Sequence, residues 1–340
     1  MTELLSVVVP VYNEREVLPT FHDRILAVLE SLPVSVQLLY VDDGSSDGSS
    51  EWLAEKQSDD DRIGVLRLSR NFGKEAAMSA GFDHVEGDAV VVIDADLQDP
   101  PELIPTLVEH WREGYDVVYA TRESREGEQW LKRQSAALFY RVMDRLSDVP
   151  IPRDTGDFRL LSRRAVDALA KLREQHRYMK GLYAWIGYPQ KAVPYARDAR
   201  SLGRSKWSYW RLWNHALEGI TSFSAAPLKL ATWLGLFTSV LAFAYGLFFL
   251  LRTLFLGNPV PGYPSLIVIM LFLGGVQLVC LGIIGEYLAR TYNESKGRQL
   301  YFVMDYRPSG GLHRRETLAD TSEETAVSPR SEENERLQNP

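Results

Sequence analysis

Two apolar stretches decide most of what this chain can become. Residues 228–251 carry one charge, Lys229 near the start, and are otherwise dominated by Leu, Ala, Phe and Gly; residues 264–288 are nearly as apolar, interrupted by Gln277 and Glu286. At about 1.5 Å per helical residue, each is long enough to cross a hydrocarbon core of about 30 Å. The short link 252–263, with its Gly and Pro residues, makes them a transmembrane hairpin. A soluble helical pair would need more polar surface than these lengths offer. Basic residues Arg204, Lys206, Arg211 and Lys229 precede the hairpin, and Arg290, Lys296 and Arg298 follow it, against Arg252 alone in the link. Both ends are therefore expected on the cytoplasmic side of the inner membrane.

The rest of the chain must then supply a water-soluble body. With 340 residues, 45% hydrophobic and 24% charged, there is enough for one α/β domain besides the hairpin. The N-terminus has no basic region or small-residue cleavage pattern and runs directly into Leu4-Leu5-Ser6-Val7-Val8-Val9, which reads as a buried strand. Up to residue 204, short apolar runs alternate with helical stretches, the pattern of a parallel sheet flanked by helices. Strands are expected at 5–9, 37–41, 63–68, 89–93 and 116–120, and helices at 17–32, 49–57, 74–84 and 101–113. This is the expectation of an open, twisted nucleotide-binding sheet. Residues 205–227, which include Trp207, Trp210, Trp213, Lys206 and Arg211, suit an amphipathic interfacial helix. A cytoplasmic segment is expected at 289–313, and an acidic, Ser-rich tail at 314–340 lacks the apolar surface to fold. The net charge of −7 argues against a nucleic-acid partner.

The chemistry concentrates where strands end. Val92-Ile93-Asp94-Ala95-Asp96 sets two carboxylates one residue apart just after a hydrophobic run, and a turn there can gather them around a cation. Hard oxygen ligands of this kind suit Mg²⁺ or Mn²⁺ on a diphosphate. Val9-Pro10-Val11-Tyr12-Asn13-Glu14 and Val41-Asp42-Asp43-Gly44-Ser45 also close strands at the carboxyl edge, where open α/β sheets bind ligands. Either Asp42 or Asp43 can accept the imide or amine proton of a nucleobase. No G-x-G-x-x-G follows the first strand, and the six histidines lack zinc-site spacing. Arg122, Lys132, Arg133 and Ser135 form a set able to grip a phosphate, since the arginine fork matches phosphate geometry.

The ordered set Val9-Pro10-Val11-Tyr12-Asn13-Glu14, Asp42-Asp43-Gly44-Ser45, Asn71-Phe72-Gly73-Lys74 and Asp94-Ala95-Asp96-Leu97-Gln98-Asp99-Pro100-Pro101 resembles family-2 glycosyltransferases of the GT-A fold. Within them it is similar to the polyprenyl-phosphate branch, which includes dolichol-phosphate mannose synthases and bactoprenol glucosyltransferases. The resemblance implies that Pro10, Tyr12, Glu14 and Asp42 or Asp43 frame a nucleoside, that Lys74 and Ala95 lie along the diphosphate, and that Asp94, Asp96 and Gln98 hold the metal. It places Gly156-Asp157-Phe158-Arg159 at the sugar and acceptor. Arg200, Arg204 and Lys206 it places beside the acceptor phosphate. Asp157 has three open roles: holding a sugar hydroxyl, fixing Arg159, or acting as a base. The activity implied is inverting transfer of a hexose to polyprenyl phosphate, with UDP-glucose as donor and GDP-mannose, UDP-GlcNAc and modified pentose donors left open. A homo-oligomer, a tetramer by resemblance, and a downstream flippase are implied as partners.

Overall fold

The computed structural model describes residues 3–122, 152, 155–195, 224, 226–256 and 262–310. Its soluble half is built on β1 (Leu4–Val11), β2 (Ser35–Asp42), β3 (Ile63–Leu68), β4 (Ala89–Val92), β5 (Val117–Arg122), β6 (Thr155–Ser162), β7 (Gln190–Tyr195) and β8 (Val303–Arg307). Among the described residues these form one sheet in the order β7-β5-β6-β4-β1-β2-β3-β8. Around it lie α1 (Leu18–Glu30), α2 (Ser49–Asp59), α3 (Lys74–His84), α4 (Ile104–Arg112), α5 (Arg163–Ala170) and α6 (Met179–Trp185). One face packs Val7, Val9 and Val11 against Phe21, Ile25 and Leu107; the other packs Val8 against Ala77, Met78 and Leu182. Alternate residues of β1 thus serve opposite cores, which is why that strand reads as a continuous apolar run.

The sheet is mixed, where alternation of apolar runs and helices predicted a parallel one. β1 pairs in parallel with β2 and β4, β2 with β3, and β5 with β7. β6 lies antiparallel between β4 and β5, and β8 antiparallel on β3. A strand buried on both faces has the same apolar pattern in either direction, so periodicity does not report its sense.

Helix α3 governs the site. Its buried residues include the small Ala76, Ala77, Ser79, Ala80 and Gly81, and a Cβ added at Gly81 would sit 2.3 Å from Val8 Cγ1, so the helix lies almost on the sheet. That close approach brings its first residue, Lys74, to the carboxyl edge of the strands.

The two apolar stretches form α7 (Ala226–Leu256) and α8 (Tyr263–Ser295). Both exceed their predicted bounds. α7 runs on through Leu256, so Arg252 belongs to the helix. α8 continues past residue 288 through Arg290, which pairs with Glu286 one turn back at 3.1 Å. Their large apolar side chains, Trp233, Phe243, Leu271 and Leu278 among them, are exposed. A soluble core helix would bury such residues, so these two helices form a membrane-associated hairpin. Tyr287 Oη donates to Ser224 O at 2.6 Å, tying the end of α8 to the approach of α7. The segment 289–313 expected after the hairpin carries β8, which returns to the sheet beside β3.

Candidate active site

The carboxyl ends of β1, β2 and β4 and the start of α3 surround a cavity of about 290 Å³, lined by Pro10, Tyr12, Glu14, Asp43, Asn71, Gly73, Lys74, Asp94, Ala95 and Asp96 among others. The sheet order explains the convergence. β2 lies on one side of β1 and β4 on the other, so the loops leaving them part and open a crevice.

The β1 and β2 loops are laced together. Asn13 N donates to Ser45 Oγ at 3.0 Å, Ser46 N to Asn13 Oδ1 at 2.8 Å, and Arg15 N to Asp47 Oδ2 at 3.0 Å. Asn13 itself stands at φ 54°, a left-handed conformation that asparagine tolerates better than most residues. Of the paired acids, Asp42 is fully buried, accepting from Ser45 N at 2.9 Å and from the Ser50 hydroxyl. It builds the turn and does not line the cavity. Asp43 does line it, and accepts from Phe72 N at 2.7 Å and Gly73 N at 2.9 Å. Burial raises the Asp43 carboxyl above its usual range, against the pull of those two N–H groups. Strand alternation separates the roles of these neighbours: one points into the fold and one into the crevice.

Asp94 meets Asp157 through sheet register. β4 and β6 are antiparallel with Val92 opposite Arg159, so two residues onward Asp94 comes abreast of Asp157. Lys74 joins them: its Nζ lies 2.6 Å from Asp94 Oδ2 and 2.5 Å from Asp157 Oδ2. Burial works against the charge on Lys74, but Asp94 and Asp157 together keep the ammonium well above its ordinary value. Burial would also raise Asp157; Lys74, Lys180 and Arg159 overcome it and hold that acid well below the usual carboxylate range. For Asp94 burial prevails, and its carboxyl is raised.

Asp96 accepts from Gln98 N at 3.1 Å, and the intervening Leu97 stands at φ 58°. A leucine there is uncommon, and such strain clusters at working sites. Gln98 is buried, and its Nε2 has no partner among the described residues. Among the described residues no three His, Cys, Asp or Glu side chains are grouped so as to hold a metal ion. Asp94, Asp96 and Gln98 thus offer two carboxylates and one amide. That set suits Mg²⁺ or Mn²⁺, which are commonly held by one or two carboxylates with phosphate and water completing the shell.

The acceptor-phosphate set is only partly within the described residues. Arg122 ends β5, with its backbone opposite Tyr195. Lys132, Arg133, Ser135, Arg200, Arg204 and Lys206 lie outside the described residues. Arg159, expected beside the acceptor, is buried behind the site: it donates to Gly156 O at 2.8 Å and its guanidinium carbon lies 3.6 Å from the Tyr183 ring centroid. Its guanidinium braces the start of β6, the strand that presents Asp157. Glu75, Arg177 and Tyr183 stand beside it without having been singled out in the sequence, because nothing in their local pattern distinguishes them from ordinary helix and loop residues.

Known proteins bear on this arrangement. Residues 6–170 match the model of glycosyl transferase family 2, and residues 226–291 match the GtrB C-terminal hairpin. An uncharacterized glycosyltransferase of Synechocystis sp. is 53% identical over 305 residues, covering 90% of this chain and 96% of its own. A bactoprenol glucosyl transferase of Shigella phage SfV is 46% identical, covering 88% and 97%. Among solved structures, glucosyl-3-phosphoglycerate synthase from Mycobacterium tuberculosis superposes with a TM-score of 0.45 at 18% identity, covering 64% of this chain and 76% of that one. A sheet-edge crevice carrying paired acids and a lysine, joined to an apolar hairpin and matched along nearly its whole length by such relatives, places this chain in glycosyl transferase family 2.

Proposed function

We propose that this chain is an inverting hexosyltransferase that moves glucose from UDP-glucose to the phosphate of a polyprenyl lipid, at the cytoplasmic face of the membrane. One observation carries the reading: relatives named bactoprenol glucosyl transferase align with both the sheet and the hairpin, so the half that handles a sugar nucleotide and the half that meets lipid are shared together.

The residues divide the work in chain order. Tyr12, 47% exposed at the rim, offers a ring face to a nucleobase. Asp43 spends one lone pair of each oxygen on Phe72 N and Gly73 N and keeps capacity to accept an imide N–H. Lys74 meets the diphosphate by giving up a carboxylate contact for phosphate oxygens. Asp94, Asp96 and Gln98 would hold a divalent ion, which when bound neutralises charge on the departing diphosphate. On the other side of the anomeric carbon, the acceptor needs no general base, because a phosphate monoester with a second pKa of about 6 is largely dianionic at neutral pH. A phosphate oxygen bonds to C1 as the C1–O bond to the diphosphate breaks, the electron pair leaves with the nucleotide, and configuration inverts. Asp157 serves this step by steering Lys74, and Arg159 by fixing Asp157.

The test uses the full chain purified in detergent with undecaprenyl phosphate and UDP-glucose, GDP-mannose or UDP-GlcNAc. Transfer of labelled glucose into an organic-extractable lipid, with UDP released, is expected. Binding of UDP-glucose without turnover, or label accumulating as aqueous polymer, overturns the proposal.

A further inference from the structure

The reaction as described leaves unused the residue next to Lys74. Glu75 lies in the first turn of α3, and its Oε2 is sealed from solvent with no hydrogen-bond partner among the described residues. The same is true of Tyr183 Oη on α6 and of Arg177 Nε in the loop before it. These three groups act on one another electrostatically. Buried polar atoms are rarely left unpartnered, and a group of them calls for an explanation.

Charged groups from its own helix, the loop before α6, α6 and β6 act on Glu75. Lys74 on its own helix, Arg177 on the loop and Lys180 on α6 attract its carboxylate; Asp157 on β6 repels it. Arg159 on β6 and Tyr183 on α6 complete the surroundings. Lys74 is bonded to Asp94 and Asp157, and a charge on Glu75 beside it adds to the pull of those two acids. How strongly these acids hold Lys74 decides how readily it can turn to a diphosphate.

We propose that Glu75 is a positioning residue that sets the division of Lys74 between the carboxylates and the leaving diphosphate, with Tyr183 and Arg177 as its own alternative partners. Burial, followed by the repulsion of Asp157, pushes the Glu75 carboxyl up to about 8. At neutral pH it keeps its proton and adds no charge against Lys74. At higher pH it ionises, and the added negative charge holds the lysine back.

This deepens the transferase reading and rests on it. The experiment measures kcat and donor KM from pH 6 to pH 9.5 with the full chain in detergent. For the unsubstituted protein, kcat is expected to fall on the alkaline side of about pH 8. Glu75→Gln, shaped like the protonated acid, retains most of its turnover at pH 7 and loses the alkaline fall, with donor KM little moved. Glu75→Ala, which supplies no partner, loses about tenfold in kcat. Tyr183→Phe, which removes a donor to the ionised acid, moves the fall to higher pH. An alkaline fall identical in Glu75→Gln and Tyr183→Phe overturns the inference, as does a folded Glu75→Gln with no turnover at any pH. Transfer by the unsubstituted protein at pH 7 tests the reading beneath it separately.

Discussion

Gly44 offers the sharpest way to separate backbone geometry from site chemistry. It stands at φ +72°, and a Cβ placed there would lie 2.6 Å from Arg70 C, 2.8 Å from Asn71 N and 2.9 Å from Arg70 Cα. These are main-chain atoms, so no rotamer can relieve the clash. Gly114, just past α4, stands at φ +101° with nothing within 4 Å of its Cβ position. Alanine at either position incurs about 1–2 kcal/mol for a left-handed conformation. Only Gly44→Ala adds overpacking, about 1–3 kcal/mol more. The expected losses are about 2–5 kcal/mol for Gly44→Ala and about 1–2 kcal/mol for Gly114→Ala. For a domain of this size they lower Tm by about 10 °C and about 4 °C respectively.

The functional effect separates further. The segment pushed by the new methyl group leads directly into Phe72 and Gly73, whose N–H groups hold Asp43 on the cavity wall. Donor KM is therefore expected to rise in Gly44→Ala and to stay put in Gly114→Ala. Thermal unfolding in detergent and initial rates over a range of UDP-glucose concentrations measure both. Equal Tm losses, or a Gly44→Ala enzyme with unchanged donor KM, would refute the reasoning.

Three further outcomes are expected. Lys74→Met removes the cation shared by Asp94 and Asp157, and should cost about 10²–10³-fold in kcat, read as UDP release under saturating donor. Chelation should abolish glycolipid formation and added Mg²⁺ or Mn²⁺ restore it, while the double substitution Asp94→Asn with Asp96→Asn should remove the response; transfer indifferent to both treatments would contradict the metal assignment. Burial would raise Asp116, but hydrogen bonds from Arg164 and Ser162 lower it, so its stabilising effect is complete above about pH 4 and fades as pH falls through its depressed folded value. Asp116→Asn should therefore lower Tm at pH 7 by more than at pH 3, as a melting series across that range would report.

The first 122 residues were legible in the sequence because each strand there is a short apolar run closed by turn residues, and β3 and α3 match their predicted bounds. Later strands hide their character. β6 carries Asp157 and Arg159 and reads as a chemical motif, β7 contains Pro194, acceptable because that strand is at the sheet edge, and β8 has charged residues at Asp305 and Arg307. In the site, the order of motifs pointed to Tyr12, Asp43, Lys74, Asp94 and Asp96, which all line one cavity. Adjacent acids in one motif could not be told apart until strand direction turned Asp42 inward. The grouping of Glu75 with Arg177 and Tyr183 depends on how α3, β6 and α6 stack, and no local pattern encodes that.

The sheet edges have a mechanical meaning. β7 forms one border of the sheet, and the chain that follows the apolar hairpin is stitched into the opposite border as β8. Eight strands at about 4.8 Å spacing set these two borders about 34 Å apart. The run from the end of α8 at Ser295 to the start of β8 at Val303 is short, so pairing with β3 ties that border of the sheet closely to the hairpin. Severing the ladder between β3 and β8 would free that margin of the sheet from the hairpin.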